Sequence, residues 1–87
     1  MANSNFPNIL RHLIEGVRFS NIHQLVSVLK LLKFVEYVDF DCDDSSVGQE
    51  ATIYLYLVNH DLLMFNWYQD DWGKVYVNTD SYEVDTW

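Results

Sequence analysis

Thr52-Ile53-Tyr54-Leu55-Tyr56-Leu57-Val58-Asn59-His60-Asp61-Leu62-Leu63-Met64-Phe65-Asn66-Trp67-Tyr68 is the stretch whose reading decides the fold. Side chains on a strand point alternately to its two faces. From Thr52 to Val58 that rule puts Ile53, Leu55 and Leu57 on one face and Tyr54, Tyr56 and Val58 on the other. Both faces are bulky, and β-branched and aromatic residues suit a pleated surface. Asn59-His60-Asp61 is a short polar break before a second run, Leu62 to Tyr68. A break this short joins antiparallel neighbours, because a parallel crossover needs a dozen or more residues.

The same pattern extends on both sides. Gln69-Asp70-Asp71-Trp72-Gly73 reads as another turn, with Gly73 able to supply a positive φ, and Lys74 to Thr79 reads as a strand. Upstream, Phe34 to Asp41 reads as a strand and Asp43 to Gly48 as a loop. Before Phe34 the period changes. Ile9, Leu10, Leu13, Ile14 and Val17 recur at helical spacing after Pro7, which predicts a helix over 7–18, weakened near its end by Gly16. Asn21 is a good N-cap with Gln24 three residues on, and Ile22, Leu25, Val26, Leu29 and Leu32 form a second stripe. Lys30 and Lys33 stand where positive charge suits a helix C-terminus, so a helix is predicted over 22–33.

The expected architecture is a single α+β domain over 1–87, with two N-terminal helices packed on one face of a four-stranded antiparallel meander sheet. The two helices bring ten large aliphatic side chains, enough for one face of the sheet. The other face then shows Tyr54, Tyr56 and some of Phe65, Trp67 and Tyr76 to water, unless the tail from Asp80 to Trp87 folds back over it. A contiguous exposed apolar patch usually marks an interaction site.

Composition narrows the function. Apolar residues make up 49% and charged residues 21%, a globular balance. No apolar run approaches the roughly 20 residues of a membrane span, and no basic segment precedes an apolar core, so neither a span nor a signal peptide is expected. Cys42 is the single cysteine, which precludes an internal disulfide and makes the cytoplasm the expected location. Asp41 and Asp43 beside it disfavour the thiolate.

The charge is divided along the chain. Residues 1–34 carry four cations against one acid, while residues 35–87 carry Lys74 against twelve acids and hold eleven of the fourteen aromatic side chains. A net charge of −8 repels phosphate backbones and anionic membrane surfaces and favours a basic protein partner. The plain alternative is that acidity only keeps the chain soluble.

Catalytic and cofactor motifs are missing. His12, His23 and His60 are too far apart for a local metal motif, the three glycines build no phosphate loop, and no serine has a nucleophile-elbow context. No cofactor is expected, and the chain is read as a non-enzyme. Asp39, Asp41, Asp43 and Glu50 have the first, third, fifth and twelfth spacing of an EF-hand calcium loop. Asp44 stands where that loop needs glycine, and the sequence from Thr52 reads as strand where a helix belongs. A weak divalent-cation site over 39–50 is kept as a third reading.

On an extended backbone, Asp39, Asp41 and Asp43 share one face at intervals of about 7 Å, close to the phosphate spacing of a stretched nucleic-acid strand. Asp70, Asp71, Asp80, Glu83 and Asp85 can extend the stripe. In size, charge and composition, though in no motif, the chain resembles small acidic inhibitors of phage and mobile elements, such as anti-restriction and anti-CRISPR proteins. That resemblance implies a non-catalytic inhibitor docking on a basic, nucleic-acid-binding protein. The residues expected to meet that partner are Tyr54, Tyr56, Trp67 and Trp72 as anchors, with Asp39, Asp41, Asp43, Asp44, Asp70 and Asp71 as electrostatic guides. The second reading is an assembly subunit that homodimerises through its aromatic sheet face.

Overall fold

The structure, a computed structural model, describes residues 7–41 and 50–87. It has two helices, α1 (Asn8–Ile14) and α2 (Ile22–Lys30), followed by four strands, β1 (Val35–Phe40), β2 (Glu50–Leu57), β3 (Asp61–Gln69) and β4 (Val75–Thr86). The strands form one antiparallel sheet in the order β1-β2-β3-β4, the meander that the short connections imply. Both helices lie on the same face, α2 over β1 and α1 over β4. No described helix is long and apolar enough to cross a membrane.

Local chemistry sets the helix ends. The Asn21 side chain accepts the Gln24 N–H at 2.9 Å, and the Gln24 side chain accepts the Ser20 N–H in return. This is a capping box displaced by one residue, and it starts α2 where the sequence predicts. Helix α1 is shorter than its apolar periodicity suggests. Glu15 leaves helical space at ψ 128, and Gly16 takes φ +80. That left-handed turn ends the helix at Ile14, so Leu10 and Ile14 are buried while Ile9, Leu13 and Val17 stay exposed.

The core lies between helices and sheet. Leu10, Ile14, Leu25 and Leu29 from the helices meet Ile53 and Leu55 of β2, Leu63 and Phe65 of β3, and Val75 of β4. The pairing Ile53↔Phe65 and Ala51↔Trp67 places Phe65 and Trp67 on this covered face. Trp67 is 5% exposed. It is a core side chain, which corrects its expected role as a docking anchor. Its alternation partners Met64, Asn66 and Tyr68 face the other way.

The largest departure from expectation is β4. It runs to Thr86, where the sequence pattern predicts an end at Thr79. Residues 82–86 pair with β3, from Phe65↔Tyr82 to Asp61↔Thr86, so the tail lengthens the sheet and does not fold across it. Between Asn66↔Asn78 and Phe65↔Tyr82 the register shifts, leaving Thr79, Asp80 and Ser81 as a bulge on β4. Arg11 fastens that bulge to α1, donating to the Thr79 hydroxyl at 2.9 Å and lying 3.9 Å from Asp80.

Candidate functional site

The face of the sheet away from the helices carries the candidate site. Strand register defines its rows. Tyr37, Tyr56, Leu62 and Asp85 form one row, and Asp39, Tyr54, Met64 and Glu83 the next. Asp41, Thr52, Asn66 and Asn78 form a third, with Asp41 tied to Thr52 by a 2.9 Å backbone bond. Tyr68 and Tyr76 belong to a fourth. The two outer strands thus supply the carboxylates, Asp39 and Asp41 on β1 and Glu83 and Asp85 on β4. The two inner strands supply tyrosine, leucine, methionine and small polar groups. Strands about 4.8 Å apart put the two carboxylate rails about 14 Å from each other, with about 7 Å between successive acids on each.

This floor is organised. The Tyr37 and Tyr56 rings lie 5.5 Å apart, and Trp87 stands edge-on to Tyr56 at 5.4 Å. Trp87 closes that end, its indole N–H donating to the Leu57 carbonyl at 3.0 Å and its backbone N–H to His60 at 2.9 Å. At the opposite end Tyr68 and Tyr76 stack at 5.3 Å, and the Arg18 guanidinium sits 4.0 Å above the Tyr76 ring. In the middle the Tyr54 hydroxyl donates to Asp41 at 3.2 Å. Burial pushes the Tyr54 phenol above its ordinary value of 10.0, and the carboxylates of Asp41 and then Asp39 add to the rise. Beside the β4 bulge, a cavity of about 290 Å³ opens among Thr52, Tyr54, Met64, Asn66, Ser81 and Glu83.

The expected site residues divide. Asp39, Asp41, Tyr54 and Tyr56 come together on this face. Asp70, Asp71 and Trp72 lie elsewhere, in the β3–β4 turn at the end of the sheet. Asp70 has a structural task there, its Oδ1 accepting the N–H groups of Trp72 and Lys74 at 2.9 Å each. Trp72 is 83% exposed at the tip of that turn. Asp80 points to Arg11 on the helix side. The expected single acidic stripe is therefore two parallel rails, one per outer strand. Asp43 and Asp44 lie outside the described residues, as do the predicted 43–48 loop, Cys42 and most of the 39–50 cation span. That span leaves β1 and enters β2, so its flanks are strands where an EF-hand has helices.

Glu83 and Asp85 are the site residues that sequence reasoning underweighted, together with Tyr37, Leu62 and Met64. Their signal is present in the tail, where Tyr82, Val84 and Thr86 alternate with Glu83 and Asp85 at strand period. No protein-family model, curated protein or solved structure matches the chain.

Proposed function

We propose that the chain is a non-catalytic protein-binding inhibitor that lays its uncovered sheet face on a basic, nucleic-acid-binding partner. One observation carries this reading: the face the helices leave open has a tyrosine-rich floor between two carboxylate rails. Interfaces combine an aromatic centre with a polar rim, and this face has that order. Its charge selects the partner. Asp39, Asp41, Glu83 and Asp85 all carry negative charge, and Arg18 is the only described cation stacked on the floor.

The dimensions favour a partner built for nucleic acid. An α-helix is about 10–12 Å across, and the DNA major groove that admits one is about 12 Å wide. Rails about 14 Å apart offer a cationic helix or ribbon a similar seat, with carboxylates in place of phosphates. Tyr37, Tyr54 and Tyr56 then serve as anchors, while the rails steer the encounter and fix its register. Inhibition follows from occupancy, as in the anti-restriction and anti-CRISPR proteins that the chain resembles in size and charge.

The test is capture from a host lysate by the wild-type chain and by a variant with Asp39→Asn, Asp41→Asn, Glu83→Gln and Asp85→Asn. The expected result is a basic protein retained only by the wild type, released by raised salt, whose binding to a labelled DNA or RNA duplex the wild-type chain inhibits. Equal capture by the variant, or capture indifferent to salt, refutes the reading.

A further inference from the structure

We infer that the cavity at the β4 bulge receives an arginine side chain of the partner, an assignment that rests on the docking role proposed above and states what the partner must present. Size limits the occupant. At about 290 Å³ the cavity is at the lower bound of pockets that hold small molecules, about 300 Å³, and suits one inserted side chain.

Its chemistry is that of a guanidinium seat. Glu83 stands at the edge, and among the described residues no ion pair engages it. The Tyr54 ring forms one wall, and its hydroxyl, held by Asp41 at 3.2 Å, fixes the ring in place. Met64 supplies a polarisable apolar floor, and Thr52, Asn66 and Ser81 bring polar groups around it. A planar cation with several donors can stack on the ring and meet the carboxylate at two points at once. The lysine ammonium is compact and strongly hydrated, so it gains the charge attraction without the stacking or the two-point contact.

The bulge is what makes the seat. Thr79, Asp80 and Ser81 have no Cα partners on β3, which stays paired on either side through Phe65↔Tyr82 and Asn66↔Asn78, so the extra residues loop out of β4 and bring Ser81 to the cavity. Bulges commonly occur beside functional sites, where they redirect side chains or end pairing. Here Arg11 anchors the bulge from the helix side at Thr79, which leaves the opposite side open to the partner.

The probes are fluorescein-labelled oligo-arginine and oligo-lysine peptides of equal length, titrated at low salt into the full chain. The readout is the ratio of the two affinities in the wild type, Glu83→Gln, Ser81→Phe and Asp85→Asn. Ser81→Phe fills the cavity from an exposed position, and Asp85→Asn removes an equal charge from the same rail outside the cavity. The wild type is expected to prefer oligo-arginine by about tenfold. The preference should collapse towards unity in Glu83→Gln and Ser81→Phe and persist in Asp85→Asn, with oligo-arginine shifting the backbone amide resonances of Thr52, Met64 and Ser81. If circular dichroism shows that Ser81→Phe is unfolded, Glu83→Gln, changed at an exposed side chain, decides alone. Equal affinity for both peptides, or equal damage from Glu83→Gln and Asp85→Asn, overturns the arginine seat and leaves the acidic docking face standing. Failure of both peptides to bind at low salt removes the docking face and the seat with it.

Discussion

Replacing Trp87 by alanine tests whether the open face is a built surface or a remnant. Trp87 is 47% exposed, so about half of its surface is covered. For a side chain of this class that is about 120 Å². At about 25 cal/mol/Å² the covered area contributes at most about 3 kcal/mol. The indole N–H bond to the Leu57 carbonyl adds about 1 kcal/mol. The edge-on contact with Tyr56 adds about 0.5–1 kcal/mol. Ordering the terminal residue and its side chain opposes these by about 2–3 kcal/mol. The net expected loss on Trp87→Ala is about 2 kcal/mol, which for a domain of 87 residues lowers Tm by about 8–16 °C. Trp87→Phe keeps a ring against Tyr56 and loses the donor, so its loss should be about half as large. Urea and thermal melts followed by circular dichroism measure both, with the urea slope expected to stay constant. A loss below about 0.5 kcal/mol for Trp87→Ala, the size of an ordinary surface change, would refute the docked position of Trp87 and with it the closed end of the floor.

Three further outcomes follow from named contacts. Asp70→Ala removes the acceptor of two backbone N–H groups in the β3–β4 turn and should cost about 1 kcal/mol in urea melts, and Gly73→Ala, at φ +82, a similar amount. The four-fold variant Asp39→Asn, Asp41→Asn, Glu83→Gln, Asp85→Asn should keep its stability within about 0.5 kcal/mol while losing the basic partner, because these carboxylates line the surface and support no core contact. Tyr54 should ionise above its ordinary value of 10.0 in an ultraviolet titration. Its folded value is raised, so its contribution to stability is intact below about pH 10 and is lost as pH climbs through that raised value, and Asp41→Asn should bring the transition back towards pH 10.

The sheet was legible in the sequence because each strand carries a period-two signal bounded by a short polar turn. Ile53, Leu55 and Leu57 are buried as their alternation requires, and Asn21 caps α2 where its side chain suggests. What the sequence hid were features set by partners distant in the chain. Trp67 reads as an interface residue by type, and only the pairing Ala51↔Trp67 assigns it to the covered face. The polar Asn66 between Phe65 and Trp67 hinted at that parity. Helix α1 was overextended because Ile9, Leu13 and Val17 fit a helical stripe, while one glycine in the left-handed region outweighed the pattern. The second half of β4 was hidden by acids, which are poor strand formers on average but acceptable on an exposed outer strand. Missing that half also concealed the second rail, since Glu83 comes opposite Asp39, and Asp85 opposite Tyr37, only when the second half of β4 pairs with β3.

On the proposed docking role, the division of labour between the two faces disfavours a second copy as occupant of the open one. Two short helices supply enough aliphatic surface to cover one side of four strands, and the other side is left with rings that carry a polar tip, as tyrosine does. In a two-fold dimer the same patch meets itself, so an aligned face-to-face pairing would bring rails of one copy towards rails of the other. Among the described residues only Arg18 offers a positive charge over the floor, and it is already stacked on Tyr76 at one end. Burying carboxylates against carboxylates adds desolvation to repulsion, with no opposite charge to offset either. On the same proposal, the residues that disfavour a second copy favour a cation: the rings offer contact area, and the rails repel an anionic or self-like surface before contact is made. Selectivity in the proposed docking would therefore come as much from what the surface repels as from what it holds.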